Sequence, residues 1–318
     1  MTQPPVISLQ KARDAAQAAV IAQSGAAASL VLLNPGALEQ ASFVFRADLG
    51  AGGYIVVKIG DPPRIALAAA RLTAVYPAMC DGRYRVPQLL AHEADGGILV
   101  MEDARGQSAH DLFLSGPAGA TRSLVAAGAW IARFHRPTCH MGAFNPDPHL
   151  NWLQKQVAAH HAGTRVIADF DRFAAALTQL QHACDAARGQ PVLRCITHRD
   201  YHLRNLLVRN LGRTYGIDFE NAKRDEALRD LLFFAADAAK IDPAPATADS
   251  LRSIATTVRT AYNRPLGARI SRQVLQTAFA LSGWASLDMA QSALGPNRAR
   301  ALAVMQVIAT TDDLFADP

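Results

Sequence analysis

Residues 197–208 read THRDYHLRNLLV, and this stretch decides how the rest of the chain is interpreted. It places His198, Asp200 and Asn205 within eight positions, directly before an apolar run at residues 206–208. A solvated loop could have this composition without any function. A catalytic loop that leads into a buried strand would have it too, and the surrounding segments must distinguish the two interpretations.

A β-hairpin is predicted directly after the loop. Apolar residues at 206–208 and 215–217 flank the segment RNLGRT. If Leu211-Gly212 is a two-residue turn, Asn205 lies directly opposite Asp218. Cross-strand partners on one face have Cβ atoms about 5 Å apart. The two side-chain oxygens are therefore predicted to lie roughly 3 to 5 Å apart, within reach of one cation.

The residue types around this hairpin suit phosphoryl transfer. Carboxamide and carboxylate oxygens are the hard ligands that Mg²⁺ takes together with phosphate oxygens and water. Asp200 lies just upstream in the same loop, where it could accept a proton or orient a hydroxyl group. In phosphoryl transfer the protein mainly positions groups and neutralises charge. A base, two metal ligands and a rigid hairpin are the parts that this reaction needs.

The first third of the chain is predicted to form a small sheet. Short runs rich in β-branched and aromatic residues alternate with turns that contain Gly or Asn-Pro. A helix precedes the first strand, and an alanine-rich helix from residue 61 to 75 begins with two prolines, which a first helical turn tolerates. The predicted strands are residues 29–33, 42–47, 54–59, 86–91 and 98–101.

The remaining two thirds are predicted to be helical, with several segments that carry apolar residues at i, i+3 and i+4. The single β-like island predicted in this part is the segment 206–219, beside the opening stretch. The predicted helices are residues 109–136, 148–160, 169–188, 226–240, 246–263, 270–291 and 296–315.

Composition narrows the partners of the protein. The net charge of +5 comes from 27 Arg and five Lys without a run of like charges, so no nucleic-acid partner is predicted. No stretch of eighteen apolar residues occurs, so no membrane partner is predicted. The four scattered cysteines indicate reduced thiols in a cytoplasmic protein. An apolar N-terminal stretch is interrupted by polar residues and is predicted to be a helix and a strand, not an export signal.

The pattern H-x-D-x-x-x-x-N at residues 198–205, followed by an apolar strand, a turn and Ile217-Asp218-Phe219-Glu220, resembles the catalytic core of the aminoglycoside phosphotransferase and choline kinase family. Protein kinases share this core, but His202, the D-F-E form and the segment LRDLLFFA at 228–235 resemble the small-molecule branch, and no A-P-E sequence follows. The resemblance implies an α+β, two-lobed protein-kinase-like fold. Its small antiparallel-sheet N-lobe would be residues 1–104, and its larger, mainly helical C-lobe residues 105–318.

This resemblance implies that the protein uses ATP and Mg²⁺. Lys58, which closes the strand YIVVK, matches the third-strand lysine that holds the α- and β-phosphates. Asn205 and Asp218 would bind Mg²⁺. Asp200 would be the catalytic residue that orients the acceptor hydroxyl group.

Two further segments would bind the nucleotide. The loop between the first two strands carries Gly36, and backbone amides around Gln40 to Ser42 could surround the phosphates. The segment ILVMEDARG resembles the hinge that contacts adenine through its backbone, with the Glu102 carbonyl and the Ala104 amide as candidates.

Two positions of the motif would support the catalytic loop instead of taking part in the chemistry. His198 resembles a histidine that stabilises the loop, and Asp230 matches an aspartate that binds the loop backbone. One part of the family pattern is missing, because residues 62–79 contain no Asp or Glu that could pair with the strand lysine. Another carboxylate could reach Lys58, the nucleotide alone could hold it, or the protein could be a weakened kinase.

The function implied is an ATP- and Mg²⁺-dependent phosphotransferase that acts on a hydroxyl group of a small metabolite, such as a sugar or amino sugar. Residues 241–318 carry seven Arg, six Asp and no Lys or Glu, which argues against a polycationic acceptor. An aminoglycoside-type antibiotic kinase is one alternative, and a nucleotide-binding pseudokinase with a regulatory role is another. The sequence does not indicate an oligomeric state.

Overall fold

A computed structural model describes residues 6–35, 38–209, 212–287 and 295–316 of the chain. The elements in its first part are β1 (Ile7–Ser8), α1 (Leu9–Ser24), β2 (Ser29–Leu32), β3 (Glu39–Gln40), β4 (Ser42–Asp48), β5 (Tyr54–Gly60), α2 (Pro62–Met79), β6 (Tyr84–Arg85), β7 (Leu89–Glu93), β8 (Ile98–Glu102) and β9 (Gln107–Ser108).

The remaining elements are α3 (Ala109–Leu114), α4 (Pro117–His135), a 3₁₀ turn (Arg136–Thr138), β10 (His140–Ala143), α5 (Asp147–His161), α6 (Phe170–Ala187), β11 (Pro191–Thr197), a second 3₁₀ turn (Leu203–Asn205), β12 (Leu206–Val208), β13 (Thr214–Gly216), β14 (Lys223–Glu226), α7 (Leu228–Ile241), α8 (Ala248–Tyr262), α9 (Arg269–Ala285) and α10 (Pro296–Thr310).

The chain divides into two compact units. The first, called here the sheet unit, consists of residues 1–107 and 207–222, and the second, the helical unit, of residues 108–206 and 223–318. The segment 207–222 thus belongs with the N-terminal part although it lies far along the chain. The lobes predicted from the sequence, 1–104 and 105–318, stay a proposal.

The sheet unit is built around five antiparallel strands in the order β2-β4-β5-β8-β7. Alternate residues of β4 and β5, including Phe43, Phe45 and Val57, are buried against Ala12 and Ala16 of α1. The other face of the sheet packs against α2, since Leu99 of β8 is buried with Ile65, Ala68 and Ala69 of that helix. Because side chains alternate along a strand, the two helices cover opposite faces.

The helical unit packs its helices closely enough to bring distant polar groups together. Gly128 of α4 lies against α8, where a Cβ atom would come within 2.3 Å of the Val258 carbonyl oxygen. A side chain at this position would push the helices apart. The close approach brings Tyr262, the last residue of α8, to His135, the last residue of α4.

Most predicted elements occur, but three strands after residue 109 were missed, as were the two-residue strands β1, β3, β6 and β9. β10, β11 and β14 form an antiparallel sheet in the order β10-β11-β14, whereas the sequence predicted one β-like island in this part. β10 and β14 were missed because they have only four residues each, and the seven-residue β11 was left unassigned. The helix predicted at 109–136 is also two helices, since Ser115 ends α3 and Gly116-Pro117 starts α4.

The hairpin was predicted to have a two-residue turn, and this prediction is wrong. Arg209 N–H donates to the Arg213 carbonyl at 2.7 Å, and Gly212 N–H donates to the Arg209 carbonyl at 3.1 Å. Gly212 has a φ of 75°, so this is a three-residue loop with a glycine bulge. Leu211, which was assigned to the turn, lies outside the described residues. The longer loop shifts the pairing by one residue, so the argument that placed Asn205 opposite Asp218 no longer holds.

In the parts of the chain that the structure describes, no helix is long and apolar enough to cross a membrane. Cys80, Cys139, Cys184 and Cys195 are all free thiols.

Candidate active site

The backbone of the loop at 198–205 is fixed by a buried carboxylate. Asp230, on α7, accepts hydrogen bonds from the backbone N–H groups of His198 at 2.7 Å and Arg199 at 2.9 Å. Arg199 has a φ of 66°, which few residues other than glycine adopt without support. Asp230 thus binds the backbone of the two residues that directly precede Asp200.

A second aspartate of α7 holds the other end of the same loop. Asp237 accepts a hydrogen bond from Leu203 N–H at 3.1 Å. Residues seven positions apart lie on one face of a helix, so Asp230 and Asp237 face the loop together. Asp237 was not predicted from the sequence, although its spacing from Asp230 is a signal for it.

Asp230 also connects the loop to two helices. His135 Nε2 lies 2.9 Å from Asp230 Oδ2, and His135 Nδ1 lies 3.0 Å from the Tyr262 hydroxyl group. With the ring proton on Nε2 directed at the carboxylate, Nδ1 can accept from the tyrosine. The carboxylate and the imidazole are fully buried, so these hydrogen bonds replace the water that both groups lose.

The His198 ring lies among aromatic side chains. Its centroid is 6.0 Å from the rings of Trp130 and Phe134 and 5.7 Å from that of Tyr201. The Tyr201 hydroxyl group donates to the Ala127 carbonyl at 2.7 Å, and burial raises the pKa of this phenol well above 10. These contacts hold the loop from within the core.

In contrast to its neighbours, Asp200 carries an accessible carboxylate. Its side chain is 40% exposed. Asn205 Nδ2 donates to the Asp200 carbonyl at 2.9 Å and to its carboxylate at 3.4 Å. Because the nitrogen of Asn205 is used within the loop, its carboxamide oxygen remains the atom that can bind a cation. The His202 ring is the other polar neighbour of Asp200, with Nε2 3.7 Å from Oδ1.

Lys58, in the sheet unit, is held by two carboxylates. Its Nζ donates to Asp218 Oδ1 at 2.7 Å and to Glu220 Oε2 at 2.6 Å. Burial alone would lower the pKa of Lys58, but the adjacent Asp218 and Glu220 carboxylates outweigh it and the pKa is raised. The lysine is therefore a fixed cation. Glu220 belongs to the sequence motif at residues 217–220, but no role was predicted for it.

The loop before β4 is organised by a side chain that was not predicted. Asn34 Oδ1 accepts from Val44 N–H at 2.7 Å, and its Nδ2 donates to the Ser42 carbonyl at 3.0 Å. Gln40 Nε2 donates to the Asn34 carbonyl at 3.3 Å. The structure thus brings the predicted residues Gln40 and Ser42 together around Asn34, while Gly36 lies outside the described residues.

The two predicted hinge residues lie at the end of β8. Glu102 is the last residue of that strand, and its carboxylate accepts from the Tyr215 hydroxyl group at 3.1 Å and from Gln88 N–H at 3.2 Å. Ala104 follows and is buried. The Glu102 N–H also donates to the Gln88 carbonyl at 2.9 Å, so the carbonyl oxygen of Glu102 is the group that stays a candidate for contact with a ligand.

The candidate cation ligands belong to different units. Asn205 is part of the helical unit and Asp218 part of the sheet unit, so the predicted distance between their oxygens stays a prediction. Within the described ranges, no group of three or more His, Cys, Asp or Glu residues could hold a metal ion. The carboxamide oxygen of Asn205 and the carboxylate of Asp218 are hard oxygen ligands, the type that suits Mg²⁺.

A second pair of carboxyl groups, Asp225 and Glu226, lies in β14 near the loop. Arg199 Nε lies 3.8 Å from Asp225 Oδ2. Burial and a hydrogen bond with Asp225 raise the pKa of its buried neighbour Glu226 to about 7. Burial opposes the ionisation of Asp225 as well, but the Glu226 hydrogen bond and the Arg229 charge hold its pKa below the ordinary value. Glu226 therefore keeps its proton at mildly acidic pH.

This arrangement predicts a pH dependence of stability. The folded pKa of Glu226 lies above its ordinary value of 4.5, so its contribution is complete below about pH 4.5 and is lost as pH rises through about 7. The contribution of Asp225 has the opposite sign: it is present above the ordinary value of 3.8 and is lost only as pH falls below it, outside this range. Urea unfolding of the wild type should therefore show a fall of about 1 to 3 kcal/mol between pH 4.5 and 7.5 that Glu226→Gln removes.

The exposed Glu93 on β7 gives a matched control for this measurement. Glu93→Gln should keep the slope of the wild type. A Glu226→Gln protein with the same slope as the wild type would show that Glu226 is ionised in the folded state at acidic pH.

The sequence is similar to one known protein family. The family model described as phosphotransferase enzyme family matches residues 36–262, which is more than half of the chain. No curated protein matches the chain in sequence.

Several solved structures have a similar fold. Macrolide 2'-phosphotransferase MphH from Brachybacterium faecium is 17% identical with a TM-score of 0.58, and the comparison covers 92% of this chain and 98% of that one. The amicoumacin kinase hAmiN is 14% identical with a TM-score of 0.57, covering 89% of each chain. Choline kinase LicA from Streptococcus pneumoniae is 13% identical with a TM-score of 0.53, covering 93% and 98%. These similarities confirm the predicted α+β, protein-kinase-like fold.

Proposed function

Because the chain belongs to the phosphotransferase enzyme family, we propose that it transfers the γ-phosphate of ATP to a hydroxyl group of a small neutral or anionic metabolite. It is an enzyme of the small-molecule kinase class, and a sugar or amino sugar is the first candidate for the acceptor. The observation that carries this proposal is the exposed carboxylate of Asp200 on a loop that Asp230 fixes from below.

Asp200 is the group that acts on the acceptor. An exposed carboxylate on a fixed backbone can accept a hydrogen bond from an incoming hydroxyl group, orient its oxygen and take up its proton. Asn205, through its two bonds to Asp200, limits the positions that the carboxylate can adopt. His202 approaches the same carboxylate and is a candidate for contact with the acceptor.

Lys58, Asn205 and Asp218 act on the nucleotide. The buried, charged Lys58 can neutralise phosphate oxygens, and the backbone around Gln40 and Ser42 can surround them. Asn205 and Asp218 would bind a divalent cation, which supplies charge neutralisation at the phosphates when bound. The structure of hAmiN was determined with AMP-PNP and Ca²⁺, which supports a nucleotide and a divalent cation, and Mg²⁺ is the cation proposed here. The Glu102 carbonyl and the Ala104 amide are proposed to contact adenine.

The acceptor is proposed to be neutral or anionic because the aspartates described in the last quarter of the chain already have partners. Asp312 pairs with Arg269 and Asp313 with Arg272, each at 2.7 Å. Asp249 lies 3.5 Å from Arg252, and Asp242 Oδ1 accepts from Ala244 N–H. A polycation would require carboxylates that are not already neutralised.

The two alternatives are less well supported. MphH and hAmiN are named for antibiotics, but at 14 to 17% identity they share the fold, and the paired aspartates argue against a polycation. A regulatory pseudokinase was favoured by the missing helix glutamate, yet Lys58 does have a second carboxylate in Glu220. A cytoplasmic location and the absence of nucleic-acid partners stay predictions from the sequence.

The proposal predicts which acceptors stimulate ADP release. With ATP and Mg²⁺, the purified chain should release ADP above background with one or more members of a panel of neutral and anionic sugars, amino sugars and amino alcohols. Aminoglycosides such as kanamycin should not stimulate it, because Asp312 and Asp313 are already paired with arginines and offer little attraction to several positive charges. A coupled ADP assay measures the rates, and phosphate incorporation into the acceptor identifies the product.

The matched control is Asp200→Asn, which should bind ATP but show no stimulation by the same acceptor. Stimulation by kanamycin alone would establish the antibiotic kinase instead. ATP binding without stimulation by any acceptor would favour the regulatory module.

A further inference from the structure

Helix α2 covers the face of the sheet that carries Lys58. Lys58 of β5 lies directly opposite Leu99 of β8, and residues that are opposite each other in a sheet project from the same face. Leu99 is buried against Ile65, Ala68 and Ala69 of α2. A carboxylate supplied by the helix that follows β5 would therefore have to come from this part of α2.

The helix cannot supply that carboxylate. Residues 62–79 contain no Asp or Glu, and the positions that pack against Leu99 are occupied by alanine and isoleucine. Lys58 nevertheless has only 11% of its side chain exposed. A desolvated ammonium group with no anionic partner is costly, so another element has to provide one.

We infer that Glu220 is this partner, a positioning residue that holds the Lys58 ammonium group in place for the nucleotide phosphates. Its Oε2 accepts from Lys58 Nζ at 2.6 Å, and its side chain is only 18% exposed. Glu220 follows β13, so the carboxylate comes from residues after the hairpin instead of from the helix. The inference rests on the proposed function, in which Lys58 contacts those phosphates.

Asp218 is less suited to hold the lysine during the reaction. It contacts the same Nζ at 2.7 Å, but its side chain is 34% exposed, about twice as much as that of Glu220. In the proposed function Asp218 also binds the divalent cation, and a carboxylate that binds a cation interacts less strongly with a neighbouring ammonium group. Glu220 is then the anion that remains with Lys58.

The first test measures the contact without nucleotide or turnover. An ammonium group held by two carboxylates must leave them and lose a proton before its nitrogen can attack an activated ester, which transfers its acyl group and releases N-hydroxysuccinimide. The chain has five lysines, so acetylation by an N-hydroxysuccinimide ester can be followed at each lysine by peptide mass spectrometry. In Glu220→Gln, the acetylation rate of Lys58 relative to that of Lys155 should rise several-fold. In the control Glu93→Gln it should stay at the wild-type value.

The second test measures whether the contact serves the nucleotide. Glu220→Gln keeps the shape of the side chain and removes its charge, and should lower kcat/KM for ATP by about ten-fold, as expected for two residues in direct contact. The KM for the acceptor should not change. In a Lys58→Met background the same substitution should change kcat/KM for ATP by no more than about two-fold, because the residue that Glu220 positions is gone.

The outcomes are distinct. Faster acetylation of Lys58 together with a non-additive double mutant supports the inference. An unchanged acetylation rate of Lys58 in Glu220→Gln overturns the inference. A loss in kcat/KM for ATP that persists in full in the Lys58→Met background also overturns it, because Glu220 would then be a cation ligand or a structural residue. If Glu220→Gln does not fold, both tests can be made with Glu220→Asp. This substitution shortens the side chain by one methylene group, and the expected results are the same. The acetylation test needs no acceptor, so it can succeed even if the proposed function fails.

Discussion

Replacing Asp200 with asparagine is expected to lower the rate of phosphate transfer by about 10²- to 10⁴-fold, the usual contribution of a positioned base. Asparagine keeps the shape of the side chain and can still hydrogen-bond to Asn205. It cannot take up the proton of the acceptor hydroxyl group, and its weaker dipole orients that group less well. Nucleotide affinity should stay near the wild-type value, because Lys58 and the backbone around Gln40 and Ser42 are unchanged.

The measurement is a single-turnover assay with the acceptor found in the panel, so that product release does not mask the chemical step. ATP affinity is measured separately by calorimetry. Asp249→Asn is the matched control, since the Asp249 side chain is 95% exposed and the substitution should leave the rate unchanged. A wild-type rate in Asp200→Asn under these conditions would show that this loop does not supply the base.

Replacing Asp230 with alanine should lower the free energy of unfolding by about 3 to 5 kcal/mol, a large loss for one residue. The change leaves the N–H groups of His198 and Arg199 without their acceptor and the buried His135 ring without its carboxylate. An unsatisfied buried donor costs about 1 to 3 kcal/mol. Three donors are affected, and partial relaxation of the loop is expected to recover some of that loss.

Urea denaturation followed by far-UV circular dichroism measures this loss. Asp237→Ala removes one acceptor from the same loop and should cost about 1 kcal/mol. Asp249→Ala removes an exposed carboxylate and should change stability by less than about 0.5 kcal/mol. Equal losses for Asp230→Ala and Asp249→Ala would mean that the loop finds other partners when Asp230 is removed.

The sequence was most informative where the candidate residues lie close together in the chain. His198, Asp200 and Asn205 lie within one loop, and their spacing alone indicated a catalytic segment. Asp230 was found because it follows in a recognisable segment. The pairing of Lys58 with Glu220 could not be foreseen, because 162 residues separate the two and nothing in either local segment reports the other. The missing carboxylate on α2 raised the question, and only the fold provided an answer.

Short elements were predicted least well, for a physical reason. β10 and β14 have four residues each, and their stability comes from pairing with β11 and not from local propensity. The hairpin loop was predicted one residue too short, because a bulge with Gly212 at positive φ and a two-residue turn share the same glycine signal. The one-residue difference was enough to remove the geometric basis for placing Asn205 opposite Asp218.

The hydrogen bonds around Asp230 have a consequence for the order in which the protein folds. They join His135 to Tyr262 across 127 positions, His135 to Asp230 across 95, and His198 to Asp230 across 32. No short segment can form them, and contacts between distant positions form only after their loop-closure entropy has been overcome. A partly folded chain could therefore have all its helices and still lack a fixed loop at Asp200. In a refolding experiment, enzymatic activity should return later than helical circular dichroism.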